Sequence, residues 1–321
     1  MTAAAPASET AVASAPEQAR RFMLAALDEA LDCLAEPVPA SDENIHRLRK
    51  ALKRARAALR LLRPLVPPRS RAAALAALRE VAHAYASARD SASLVEALGR
   101  LARHHPGMVA ARAGSATGRA LRAGRLHTRR SLPDAASTAA ARNMLRTLRS
   151  GAIRWKLHAP RNGGNPGSPA HDRIVHALRH TYRRARRAGR KAGTGATDTL
   201  HAWRKEVKVL HNALLALEST ASTTGAARLL KHSARLGTTL GCEHDLAMLE
   251  IAIAALGRTL PSDERRQILA EVSLDRQRYL ERALRESERA FKIRPRRLAR
   301  ELGLTQVRNG TGEDFVRTRR R

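Results

Sequence analysis

The stretch His46–Leu62, HRLRKALKRARAALRLL, places a histidine and seven other basic residues on one short segment without a single acid. Further along, His201–Leu217 reads HAWRKEVKVLHNALLAL and repeats the arrangement. Sliding the chain against itself by 155 residues superposes His46 on His201, Arg49 on Arg204, Lys50 on Lys205 and Lys53 on Lys208. Leu59 and Leu62 then fall on Leu214 and Leu217, and the same ungapped shift sets Asp90 on Asp245. The histidine-to-aspartate separation is 44 residues in both copies. An internal repeat of this kind predicts a duplicated architecture.

On a helical wheel with His46 as origin, Lys50 lies at ~40°, Lys53 at ~−20°, Arg60 at ~−40°, Arg49 at ~−60° and Arg56 at ~−80°. Leu48, Leu52, Ala55, Leu59 and Leu62 gather on the opposite side, between ~160° and ~240°. The second copy sets His201, Arg204, Lys205, Lys208 and His211 against Trp203, Val207, Leu210, Leu214 and Leu217. Like charges at these spacings destabilise an isolated helix by ~0.2–0.5 kcal/mol per pair, so their repetition calls for an anionic partner. Glu206 is the one acid in the second stretch, and the wheel puts it on the flank of the cationic face.

Composition points the same way. The 321 residues carry a formal net charge of +31, and 52 of the 60 basic residues are arginine, whose planar fork suits phosphate oxygens. With two Trp, three Tyr and three Phe there is little on which to stack bases, which favours an anion without them. Cys33 and Cys242 lie far apart and form neither a disulfide framework nor a thiolate zinc site; they fit a reducing compartment. No run of 18 apolar residues exists, so a cytoplasmic location is expected.

Apolar residues recur at intervals of three and four throughout, which predicts an all-α chain, and the repeat makes its halves duplicated helical bundles. A disordered leader is expected over 1–16 and a first bundle over 17–158. A Gly/Pro-rich linker follows over 159–170, then a second bundle over 171–304 and a mobile basic tail over 305–321.

The pattern His46, Arg49, Lys53, Arg56, followed by Arg89–Asp90 before an apolar helix, resembles the CHAD family, the conserved histidine α-helical domain. The second copy is similar through His201, Arg204, Lys208, Gly241 and Asp245, and the resemblance covers roughly Glu17 to Leu304. It implies two four-helix bundles related by a pseudo-twofold axis, basic helices lining a shared channel, inorganic polyphosphate as ligand and placement on polyphosphate granules. Two departures lower the permanent charge of the second copy: His211 and Leu215 stand where the first has Arg56 and Arg60. His244 also replaces the arginine of the Arg–Asp pair. Such histidines are expected to gain charge below about pH 6.5 and to act as tunable phosphate donors.

The expected polyphosphate contacts are therefore His46, Arg49, Lys50, Lys53, Arg56, Arg60, Arg89, His201, Arg204, Lys205, Lys208, His211 and His244. Arg183 and Arg187, from a dense basic run on another helix, extend the set. Asp90 and Asp245 are expected to be buried and to orient neighbouring bases. No catalytic residue, cofactor or metal is expected. The pair His244–Asp245 invites a comparison with metal phosphohydrolases, to which His201 and Asp263 could contribute, but the first copy has Arg89 at the histidine position. His104–His105 lacks a third ligand at helical spacing and reads as a helix end. Sequence-nonspecific nucleic-acid binding is the competing function, and a phosphohydrolase acting on polyphosphate comes third.

Overall fold

The computed structural model describes residues 14–35, 41–108, 115–157, 169–221 and 223–304. These form eleven α-helices: α1 (Ala15–Cys33), α2 (Asp42–Leu61), α3 (Pro68–Ala84), α4 (Ala86–His104), α5 (Ala116–Arg130), α6 (Ala135–Arg154), α7 (Pro169–Lys191), α8 (Thr197–Leu215), α9 (Thr224–Leu256), α10 (Ser262–Ala290) and α11 (Leu298–Glu301). Among the described residues there is no strand, so the all-α expectation holds. The expected tail, and the leader and linker apart from their last residues, lie outside the described residues. Helix α1 already begins at Ala15, with Ala15 and Pro16 buried, and Pro169–Ala170 opens α7 rather than ending a linker.

Helix α2 starts where its chemistry says it should. Ser41 caps it by accepting from the Asn44 N–H at 3.1 Å, and Asp42 and Glu43 sit in the first turn against the positive end of the helix dipole. Beyond its end come Pro64 and Pro67–Pro68, and Pro68 opens α3 at a position where a missing N–H costs nothing. Shifted by 155 residues, α2 coincides with α8, and α3 together with α4 coincides with the single helix α9. The first copy breaks at Tyr85, whose backbone leaves the helical region (φ −109°, ψ 18°) and whose hydroxyl meets Thr138 on α6 at 3.1 Å.

The wheel reading of α2 and α8 is reproduced. Leu48, Leu52, Ala55, Leu59 and Leu62 are buried, as are Trp203, Val207, Leu210, Leu214 and Leu217. His46, Lys50, Lys53, Arg56 and Lys205 are exposed. The buried side chains fall into two clusters, and both draw on each side of the linker. The larger joins Met23, Leu52, Leu78 and Leu145 to Ile174, Tyr182, Trp203 and Leu236. The smaller joins Leu98, Leu101 and Leu121 to Leu249, Ile253, Ile268 and Val272. Each fully buried Leu or Ile contributes roughly 1.5–3 kcal/mol, so neither half retains its full share alone.

Helices α7 and α8 approach closely at Gly189, where an added Cβ would lie 3.0 Å from Cε2 and Nε1 of the fully buried Trp203. That ring sits beneath the cationic face of α8, so its placement governs the site above it. Substituting Gly189→Val overpacks this contact and should lower the unfolding free energy by about 1–3 kcal/mol, read as a reduced urea midpoint.

Candidate functional site

Helices α2 and α8 pack directly against each other, which brings the two basic segments together. Near their N-terminal ends Arg49 is anchored rather than loose. Its Nη1 donates to the carbonyls of Tyr85 (3.3 Å) and Ala86 (3.2 Å), which stand at the start of α4 just past the break from α3 and have a second lone pair to offer. Its Nη2 donates to Asp90 at 3.4 Å. Arg204, its counterpart, lies beside the unbroken α9. It lies within electrostatic reach of Asp245, Glu243, Arg49 and Asp90, and its Nε is buried without a hydrogen-bond partner. Burial above all pushes its guanidinium below the ordinary arginine range.

His201 and His244 stack with ring centroids 4.6 Å apart and their Nδ1 atoms 3.3 Å apart. Burial, then the charges of Arg204, His201, Lys208 and Lys205, drives His244 down to about 4. His201 is lowered by burial and by Lys205 and Arg204. His211 is lowered chiefly by burial, with Lys208 and Arg54 adding to the effect, and its Nδ1 meets the Ser233 hydroxyl at 3.2 Å. The sequence expectation that these positions gain charge just below pH 6.5 is thus corrected: in the anion-free protein they stay neutral further into acid. The cause is burial first and the neighbouring cations second, and a bound polyanion would offset the second.

The far end of the site departs more from the sequence reading. Glu206 does not stand aside on the flank. Its half-buried carboxylate accepts from Arg60 of α2 (3.0 Å) and from Arg184 of α7 (2.7 Å). Arg183 and Arg187 are exposed on α7, but Arg184 is the member of that run tied to α2 and α8. His180, one turn before Arg184, is depressed by burial and then by Arg184, Arg60, His176 and Arg63, which places it in the same group. The spacing of four from His176 to His180 to Arg184 was the available signal, hidden by the denser arginines beside it. Arg56 is held low by burial and by Arg79 of α3. Arg89 falls on α4, and its side chain lies outside the described residues.

The carboxylates around the site are all engaged. Asp90 pairs with Arg49 but is 63% exposed, so the expectation of a buried aspartate is corrected there. Asp245 is held at 2.7 Å by Arg100, which reaches it from α4 across the linker. Buried Glu243 accepts from Arg276 of α10, which also reaches Glu250 and Thr197. Burial raises the Glu243 carboxyl against the pull of Arg276. Asp263 stands exposed at the start of α10, paired with Arg266. His104 and His105 do end α4, yet they also meet α10: His104 contacts Asp275 at 3.0 Å, and His105 lies between Glu271 (2.7 Å) and Asp275 (3.2 Å). Among the described residues no group of three or more His, Cys, Asp or Glu is arranged to hold a metal ion.

The described residues thus form an all-α scaffold in which two basic helices, α2 and α8, pack against each other. The sequence matches the CHAD domain family model over residues 23–254, most of its length, and the chain belongs to that family. The CHAD domain from the plant Ricinus communis superposes with a TM-score of 0.54 at 17% identity, covering 95% of this chain and 97% of that one. PptA from Streptomyces chartreusis gives 0.58 at 16% identity, covering 88% of this chain and all of its own. At these identities the likeness establishes the fold. No curated protein matches the sequence significantly.

A stability test follows from the histidines. Their ordinary value is 6.5, and the folded values are lower, so between that pH and about 4 the unfolded chain binds more protons. The stabilisation is complete above pH 6.5 and is lost as pH falls through this window. The melting temperature of the anion-free protein should therefore drop from pH 7 to pH 5, and His244→Asn should flatten the drop.

Proposed function

We propose that this protein binds inorganic polyphosphate along the paired basic helices α2 and α8, acting in the cytoplasm on polyphosphate granules or as a sensor of the polymer. The observation that carries this reading is the direct packing of α2 against α8, which brings exposed His46, Lys50, Lys53 and Arg56 of one basic helix together with Lys205 of the other. Such a surface holds a positive potential that a chain of phosphates would relieve. Family membership and the scarcity of aromatic rings support the same ligand.

Binding would proceed by exchange of counter-ions. Lys50 and Lys205, exposed at corresponding places on the two helices, offer mobile point charges, while Arg204 presents a fixed, partly desolvated guanidinium. Arg49, tied to the α3–α4 break, gives the site rigidity. A long polymer touching both helices gains from effective concentration, because the second contact is intramolecular. The pseudo-twofold channel of two bundles belongs to this proposal. So does the assignment as a binder and not an enzyme, since Asp90, Asp245, Glu206 and Glu243 are each committed to an arginine.

Titration with long-chain polyphosphate and with duplex DNA at equal phosphate concentration, across a salt series, should show tighter binding of polyphosphate. Equal or stronger DNA binding would favour a nonspecific nucleic-acid binder. Reversing Lys50 and Lys205 to Glu should weaken polyphosphate binding at least about tenfold more than reversing Arg319 and Arg320, which changes net charge equally. Equal losses would reduce the site to bulk charge.

With Mg²⁺ or Mn²⁺ the purified protein should release no phosphate from polyphosphate above background. Turnover abolished by Asp245→Ala would instead establish a phosphohydrolase.

A further inference from the structure

Where α2, α7 and α8 meet, five basic side chains surround one acid. Arg60 comes from α2 and Arg63 from the turn just after it, and His176, His180 and Arg184 come from α7. Glu206 of α8 sits among them, its Oε2 accepting from Arg60 at 3.0 Å and its Oε1 from Arg184 at 2.7 Å. Both carboxylate oxygens are therefore used, one toward each helix, and the Glu206 side chain is only 15% exposed. Arg184 is 51% exposed, so the junction opens to solvent on the α7 side. One carboxylate facing Arg60, Arg63 and Arg184 leaves the junction undercompensated; His180 is lowered first by burial and then by these neighbours.

Two forked donors converging on one oxyanion is the geometry by which arginines hold a phosphoryl group. We infer that the α2–α7–α8 junction is an anion subsite for a phosphoryl unit, and that Glu206 is its built-in occupant, displaced when the ligand enters. This deepens the polyphosphate reading and rests on it for the identity of the polymer. A phosphoryl unit brings more acceptor oxygens than a carboxylate and can serve Arg60, Arg184 and His180 together. The exchange requires no covalent step; Glu206 swings toward solvent as the phosphoryl group takes its place. The device makes the subsite selective, because a weakly charged anion cannot outcompete a tethered carboxylate.

Tripolyphosphate is the probe, being a defined anion that reports on the subsite independently of the long polymer. Glu206→Gln keeps the side-chain shape and removes the competing charge, so it should tighten tripolyphosphate binding by about fivefold in calorimetry at fixed ionic strength. Glu288→Gln on the exposed face of α10 makes the same change in net charge and should alter affinity less than about twofold. Adding Arg184→Gln to Glu206→Gln should abolish the gain. A Glu206→Gln affinity equal to or weaker than that of Glu288→Gln, or a gain that survives loss of Arg184, would overturn the inference. Should Glu206→Gln fail to fold, carbodiimide labelling of the wild-type protein decides: Glu206 should label more with tripolyphosphate than without, and unchanged labelling would overturn the displacement. Failure of the long polymer to bind wild-type protein would sink the functional reading while leaving the tripolyphosphate result to judge the subsite.

Discussion

Everything in this structure is arranged around cations of like sign being held closer than they would settle in water. The apolar stripes of α2 and α8 are buried so fully that the opposite faces have nowhere to turn. Repulsion between unit charges a few ångströms apart is softened by solvent at the surface, but it grows as side chains become desolvated. Arg204 and His244 show the desolvation directly: burial lowers the guanidinium, whose Nε is buried without a hydrogen-bond partner, and burial followed by neighbouring cations drives the imidazole to about 4. The energy that the fold loses there is recovered only when negative charge arrives from outside.

The few acids near the site act as stitches between distant parts of the chain. Arg60–Glu206 and Arg100–Asp245 each join residues about one repeat apart, and the Thr117 N–H donates to buried Glu264 over a similar separation. Placed between arginines, such carboxylates restrain the basic helices without neutralising them. The asymmetry of the two copies matters here. The break at Tyr85 supplies carbonyls that fix Arg49, whereas unbroken α9 leaves Arg204 to respond to nearby charge. One half thus sets the geometry and the other carries the tension.

Much of this could be read from residue order, because helix periodicity and the 155-residue shift are local or self-referential signals. The buried stripe of α2 and the exposure of Lys50 and Lys53 have that origin. What escaped was decided by tertiary packing. The wheel gave the angle of Glu206 correctly but could not say that α7 would approach from that side and turn a flank into an interior. His180 and Arg184 were obscured by a run in which every candidate was basic. Arg100 and Arg276 bore no motif at all, yet they reach Asp245 and Glu243 from α4 and α10. The anchoring of Arg49 on the Tyr85 and Ala86 carbonyls depended on a helix break that the repeat itself argued against.

The interleaving of both halves in each core also governs how the molecule must come into being. During synthesis α4 and α5 leave the ribosome long before α9 and α10, so Leu98, Leu101 and Leu121 must await partners more than a hundred residues downstream. Closing such long loops is entropically slow, and helical proteins with distant pairings forgo the speed that local contacts give. The nascent N-terminal half is meanwhile a strongly basic chain without its finished core, emerging beside the ribosome's own phosphates. A cell making this protein must keep that intermediate from sticking to the nearest polyanion before the last helices arrive to complete it.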